Sequence, residues 1–495
     1  METDMLRIHP RDNVAVALRD LPVGAALRGP DGPIELLDDI PFGHKIALAR
    51  IEEGGRVLKY GYPIGHAVAP IPRGAWVHTH NLHTDLSDIQ DYTYRPACAP
   101  LPARDDLCFD GYVRPDGRVG TRNEIWIVPT VGCVNATATR VAREAERRFA
   151  GRTDGIFAYT HNMGCSQMGE DQARTQRLLA GLIRNPNAGG VLVLSLGCEN
   201  NNLEAFAPFL GDMDPNRVRF LTTQDVEDED EAAVALIGEL VAYAETFHRI
   251  AVPAARLTVG FKCGGSDAFS GITANALCGR VNDILCGCGA ATMLTEVPEM
   301  FGAETILMNR CASERIFADT VRLINDFKRY YARYDQVIYE NPSPGNKRGG
   351  ITTLEEKSLG CIQKGGSAPV VGVLDYGCAP AEGGLHLLNG PGNDAIATTG
   401  LVASGATLVL FTTGRGNPLG APVPTVKIAS NNRLARHKRA WIDFSAGDIL
   451  EGRDFDEVSK AFCAYLMDVA SGRVRAKNEI NGDREISLFR DGVIL

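Results

Sequence analysis

The sequence has no apolar run approaching the roughly 18 residues needed to cross a bilayer; its longest candidates, such as VLVLSLG at 191–197, are strand length. The first residues, METDMLRIHPRDN, hold no apolar stretch ahead of a cleavage site, so a cytoplasmic location is expected. Positive charge is also short. Lys+Arg total 51 against Asp+Glu 61, a formal charge of -10, which does not supply the basic surface that nucleic-acid binding uses. Neither a nucleic acid nor a membrane is therefore expected as a partner. Nucleotide signatures are missing as well: GRGNPLG at 414–420 has the wrong spacing for G-x-G-x-x-G and contains Pro418, and no GKS or GKT occurs. The 13 cysteines are odd in number, scattered, and without C-x2-C pairs. A secreted disulfide framework does not fit, and reduced thiols are expected.

What is present is a chain of 495 residues, long enough for about three domains. The 53 glycines and 26 prolines imply many turns between short elements. Residues 1–95 read as short strands, with Val14, Val16 and Leu18 alternating as in half-buried strands, and predict a compact β module. The stretch RPACAPLPARDD is Pro- and Asp-rich and aperiodic, so 96–110 reads as a linker. Apolar runs then alternate with helical segments, the rhythm of parallel βαβ units, and a break near 248–256 separates bodies at 111–250 and 251–495. The expected fold class is α/β: a small N-terminal β module followed by two α/β bodies with mainly parallel sheets.

Four cysteines refine this picture. Cys133, Cys165, Cys198 and Cys263 each end an apolar run, at separations of 32, 33 and 65 residues, the last nearly twice the others. A βαβ repeat takes roughly 30 or more residues, so the four thiols are expected at equivalent strand ends, where open parallel sheets bind ligands. Cysteine also packs well where strand meets helix, which is the plainer reading of any one of them.

The strings TRNEIWIVPTVGCVN, GCSQ, GCENN, KCGGSDAFSGITAN, TEVPEMFGAE, ENPSPGNK and FTTGRGNP, in this order, resemble the altronate and galactarate dehydratase family. The N-terminal module with HTHN at 78–81 is similar to that family's SAF-type domain. The resemblance implies a hydro-lyase acting on a small sugar acid, with altronate the nearer substrate and galactarate the alternative, and Fe(II) as the usual metal. Mn(II) and an Fe–S cluster stay open as cofactors, a non-catalytic sugar-acid binder as a rival function, and a homodimer as an assembly.

Removing water from a 2,3-dihydroxy acid requires a base for the proton beside the carboxylate, a cation to stabilise the enediolate, and an acid for the leaving hydroxyl. His78 and His80, read as one face of a strand, are candidate metal ligands, with Cys165 and Cys198 as thiolate ligands. Lys262, His161 and Glu296 are candidates for proton transfer, although His161 also reads as a loop bridge; Glu299 is a further acid or ligand. Gly264, Gly265, Ser266 and Asp267, between a strand and a helical run, predict an anion cradle of exposed N–H groups. Arg415 and Asn417 in the second strand-then-glycine motif are expected to bind substrate, Arg415 offering a planar fork to a carboxylate. ENPSPGNK reads as a lid or an oligomer contact, and RLARHKRA at 433–440 as a solvated helix face.

Overall fold

The computed structural model describes residues 4–87 and 89–495. In the N-terminal module, strands Met5–Leu6, Val14–Ala17, Lys45–Ala47 and Trp76–Val77 form one antiparallel sheet, and Arg56–Lys59, Tyr62–Ala67 and Leu82–His83 another. Turn chemistry sets the second sheet's hairpin. Tyr60 and Gly61 both adopt positive φ, 59° and 77°, the two-residue loop whose twist matches that of paired strands. Asp12 pins this tip by accepting from the Gly61 N–H at 2.7 Å and the Tyr60 N–H at 3.2 Å. Strand Val14–Ala17 departs from the expected half-burial, since all of it is buried. Ala15 and Ala17 face the module's own core, whereas Val16 packs with Ala268 and Phe269 of the C-terminal body. The module is thus seated on the rest of the chain.

Residues 90–107 lack regular structure but are fastened along the C-terminal body. Tyr92 Oη donates to Glu304 at 2.7 Å, Tyr94 Oη to the Cys311 carbonyl at 2.6 Å, and the Ala97 N–H to the Asn309 carbonyl at 2.7 Å. The segment is a strap, with its backbone polar groups partly satisfied by the surface beneath.

The second body carries four parallel strands in the order Ile156–Ala158, Glu124–Pro129, Ala188–Ser195, Val218–Thr222. Its central strands are buried on both faces, the reason they read as continuous apolar runs. Helices Asn135–Phe149 and Glu229–Ala244 cover one face; helix Gly169–Arg184 covers the other and shares a core with Leu401 and Val402 of the C-terminal body. Strand Cys108–Val113 pairs antiparallel with Arg249–Pro253, so the chain enters and leaves this body side by side.

The C-terminal body is built on seven parallel strands in the order 370–374, 384–388, 291–294, 258–263, 408–413, 425–429, 444–445. From strand Thr258–Cys263 the chain first builds outward on one side, then returns at Leu408–Thr413 to build the other. That reversal opens a crevice at the carboxyl ends of these two strands, the general ligand position in open α/β sheets. KCGGSD and FTTGRGNP therefore meet.

Candidate active site

Lys262 and Cys263 end the central strand and are fully or almost fully buried. Strand Ala291–Leu294 beside it leads into Glu296, held at a left-handed φ of 70°, a strained state for a non-glycine residue that tends to mark functional positions. The following turn, Val297–Met300, supplies Glu299. Helix Leu354–Cys361 places Lys357 and Cys361 four residues apart on one face, and the next turn adds Lys364. These groups converge. Lys262 Nζ contacts Glu296 and lies 2.8 Å from Asp394 Oδ1; Lys357 Nζ donates to Glu299 at 2.7 Å; Lys364 Nζ lies 2.9 Å from Cys263 Sγ and 3.3 Å from Glu296. Cys263 and Cys361 are 3.4 Å apart, and Glu299 Oε2 accepts from them at 3.2 and 3.0 Å.

Three ammonium groups thus face three carboxylates, all buried except Asp394. Burial alone would depress Lys262, but Glu296, Asp394 and Glu299 together raise its pKa above the ordinary lysine value, and it is an ammonium. Glu299 is the converse: burial pushes it up, yet Lys357, Lys262 and Lys364 hold it well below the usual carboxylate range. The hydrogen bond it shares with Cys263, and burial, raise Cys361, so that thiol stays protonated. Cys263, Glu299 and Cys361 offer ligand atoms all within 4.8 Å of one another, the group of this kind found among the described residues. A divalent cation held there would take the two sulfurs as thiolates, with Glu299 as its carboxylate ligand. Two sulfurs and one carboxylate suit Fe(II) better than the harder Mn(II).

A cleft of 530 Å³ runs between the module and the C-terminal body, lined by Asp20 and Phe42 from the module and by Asp267, Arg348, Arg415, Arg433 and His437, none of them a member of the cluster. Its basic lining suits an acid. The run 433–440 thus contributes Arg433 and His437 to the cleft instead of only a solvated face, because helix Asn432–His437 begins at a strand end. ENPSPGNK also builds the site. Lys357 Nζ donates to Asn341 Oδ1 at 3.0 Å and Asn346 Oδ1 at 3.3 Å, and Asn346 Nδ2 donates to the Ser266 carbonyl at 2.9 Å.

The expected anion cradle is already filled by a side chain of its own. Asp267 accepts from the N–H groups of Phe269 and Ser270 at 3.2 and 2.9 Å, from the hydroxyls of Ser270 and Ser430, and from Asn431 Nδ2 at 3.0 Å. Burial raises its pKa, opposed by these bonds. The Gly264 N–H is spent on the Thr412 carbonyl at 3.0 Å, while Gly265 accepts from the N–H groups of Gly414 and Arg415 at 3.0 and 2.9 Å. The loop is locked to its neighbour, and the Ser266 hydroxyl, buried without a hydrogen-bond partner, is the open group in it. Asn417 Nδ2 donates to Asp394 Oδ2 at 2.6 Å, which orients Asp394 toward Lys262.

The proposed histidine ligands do not join this centre. Strand Trp76–Val77 stops before His78, and a turn follows in which Asn81 accepts from the His78 N–H at 2.9 Å, so two-residue alternation does not apply. His78 is buried at the module seam, 3.1 Å from Thr352 Oγ1, with burial and nearby Lys45 lowering its pKa to about 3; His80 is exposed, its ring 5.2 Å from that of Trp76. Cys165 and Cys198 are exposed on the second body. His161 also lies in the second body, with Nε2 2.8 Å from the Pro129 carbonyl and Nδ1 accepting from the Met163 N–H at 3.1 Å. Both ring nitrogens are occupied and burial lowers its pKa: it bridges a loop. Lys357, Cys361, Lys364 and Asp394 are the cluster members that sequence reasoning missed. The i, i+4, i+7 spacing of the first three within EEKSLGCIQK was their only signal.

The chain resembles known proteins along nearly its whole length. Family models match the chain in three consecutive stretches: the altronate/galactarate dehydratase SAF domain at 3–85, the second domain of D-galactarate dehydratase/altronate hydrolase at 111–245, and the D-galactarate/altronate dehydratase C-terminal domain at 254–494. The chain belongs to the altronate/galactarate dehydratase family. It is 50% identical to an altronate dehydratase of Bacillus subtilis (strain 168) over 494 residues and 48% identical to one of Escherichia coli (strain K12) over 497 residues, covering 99% of each chain in both cases. To the galactarate dehydratase (L-threo-forming) of Escherichia coli (strain K12) it is 34% identical, over 94% of this chain and 93% of that one.

Proposed function

We propose that the chain is a hydro-lyase converting D-altronate to 2-dehydro-3-deoxy-D-gluconate and water, using Fe(II) held by Cys263, Glu299 and Cys361. The full-length identity of 50% and 48% to two altronate dehydratases, against 34% to a galactarate dehydratase, carries the choice of substrate. The basic cleft and the charge-balanced cluster support the chemistry. When bound, the cation would supply Lewis acidity at the carboxylate end of the substrate.

The side chains divide the remaining work. Arg348, Arg415 and Arg433 draw the carboxylate into the cleft. Lys262, already charged, does not accept a proton; its ammonium stabilises negative charge that develops as the enediolate forms. Asp394 is the carboxylate of the cluster that reaches solvent, with 31% of its side chain exposed against 1% for Glu296 and 4% for Glu299. Held by Lys262 and Asn417, it is the group placed to remove the C2 proton. Among the described residues no helix is long and apolar enough to cross a membrane, consistent with a cytoplasmic enzyme.

Anaerobic assays with Fe(II) and either altronate or galactarate, following the 2-keto acid formed, test the assignment. Altronate is expected to turn over with the higher kcat/KM. Preference for galactarate would overturn the substrate, and no product from any hexonate or hexarate would favour a binding protein.

A further inference from the structure

Cysteine is among the most buried residue types, yet Cys133, Cys165 and Cys198 are all exposed. They lie in the loops that follow strands Glu124–Pro129, Ile156–Ala158 and Ala188–Ser195, three adjacent strands of one sheet with Cys133 on the central one. The outer two loops reach across it. The Asn201 N–H donates to the Gly164 carbonyl at 3.0 Å and the Ser166 N–H to Asn200 Oδ1 at 2.8 Å. Beneath them the Gly132 N–H donates to the Met163 carbonyl at 3.0 Å, and Asn201 Nδ2 to the Thr130 carbonyl at 3.0 Å. Each thiol is thus within two residues of a bond joining its loop to another. Gly164 at φ 99°, Ser166 at 57° and Gly197 at 126° supply the left-handed turns that bring the loops this close. A Cβ at Gly164 would sit 2.0 Å from the Thr130 carbonyl oxygen.

One more feature favours an anionic group there. Each loop opens a helix, Asn135–Phe149, Gly169–Arg184 or Leu203–Leu210, so three helix N-termini rise from the rim that carries the thiols and favour negative charge there. The fourth cysteine of the sequence series, Cys263, ends a strand of the other sheet, so this rim offers three thiolates and no fourth.

We propose that Cys133, Cys165 and Cys198 bind an iron–sulfur cluster of the four-iron type through three of its irons, leaving the fourth open to an oxygen ligand. Three thiolates around a cluster core of charge 2+ give a net single negative charge, which the helix N-termini stabilise. The site is separate from the Cys263–Glu299–Cys361 centre and does not depend on the substrate assigned above.

Anaerobic incubation of the full-length protein with equal amounts of ferrous and ferric iron and with sulfide, which together supply a core of charge 2+, followed by desalting, tests this. The expected result is about four iron and about four acid-labile sulfide per chain with broad visible charge-transfer absorption. The Cys133→Ser, Cys165→Ser and Cys198→Ser proteins should lose that absorption, while Cys108→Ser, an exposed cysteine elsewhere, keeps it. Circular dichroism checks that the variants fold. Iron without sulfide in the wild type, or equal loading in the folded triple variant, would overturn the proposal.

Discussion

Lys262→Met is expected to lower kcat for altronate by about 10²–10³-fold, while His161→Asn should stay within a few-fold of wild type. The contrast follows from surroundings. Lys262 is buried against Glu296 and Asp394 at the carboxyl end of the central strand, where a fixed positive charge in a dry site acts strongly on charge that appears during reaction. His161 has both ring nitrogens committed to backbone groups in the second body. Removing the ammonium also leaves Glu296 without its nearest cation, so the variant loses stability; kinetics are compared below its unfolding temperature, with circular dichroism as the check. Equal losses in the two variants would assign the effect to folding, and an active Lys262→Met enzyme would remove Lys262 from the mechanism.

The largest effect on stability is expected at the seam between module and body. Glu356 is buried and takes Lys45 and Lys59 of the module at 2.8 Å each, while Lys45 also donates to the Gly350 carbonyl and Thr352 Oγ1. Burial would raise Glu356, but the two lysines bring its pKa down to about 2. Lys45 goes the other way, burial lowering it to about 8 despite Glu356. Glu356→Ala strands two buried ammonium groups and should cost about 3–5 kcal/mol, read as a lower midpoint in thermal or urea unfolding. The pH dependence has a definite sign. Because the folded Glu356 value lies below its ordinary 4.5, its contribution is fully present above pH 4.5 and is lost as pH falls toward about 2. Wild type should lose stability across that window more steeply than Glu356→Ala; parallel profiles would show that the triad does not hold the module.

Much of this architecture was legible in the residues. Apolar runs ending in glycine or cysteine marked the parallel strands, since strands covered on both faces carry apolar residues continuously. The cysteine spacing was informative and also misleading. Separations of 32 and 33 residues do place Cys133, Cys165 and Cys198 at adjacent strand ends, but the 65-residue step to Cys263 crosses strand Arg249–Pro253, which pairs with Cys108–Val113 to close the second body. Arithmetic along a chain cannot register a change of sheet. The His78 and His80 reading failed because a turn replaced the strand after Val77, a boundary decided by Asn81 folding back on the His78 N–H. KCGGSD was placed correctly at a strand end, yet its donors turned out to hold Asp267, a contact that depends on Ser430 and Asn431 more than 160 residues away. Lys357 and Cys361 were hidden for the same reason. On a helix that is buried almost all round, nothing local separates a residue facing the reaction centre from one facing the core.

Proton removal at C2 is the step assigned to the proposed centre, and it can be observed separately from loss of the hydroxyl. Altronate incubated in deuterated buffer with wild-type enzyme and with Asp394→Asn, anaerobically and with Fe(II), reports exchange of the C2 hydrogen by nuclear magnetic resonance. A folded Asp394→Asn protein that has lost both exchange and turnover is the expected outcome. Exchange at the wild-type rate in that variant would put the base elsewhere and contradict a reaction centre at the crevice between strands Thr258–Cys263 and Leu408–Thr413.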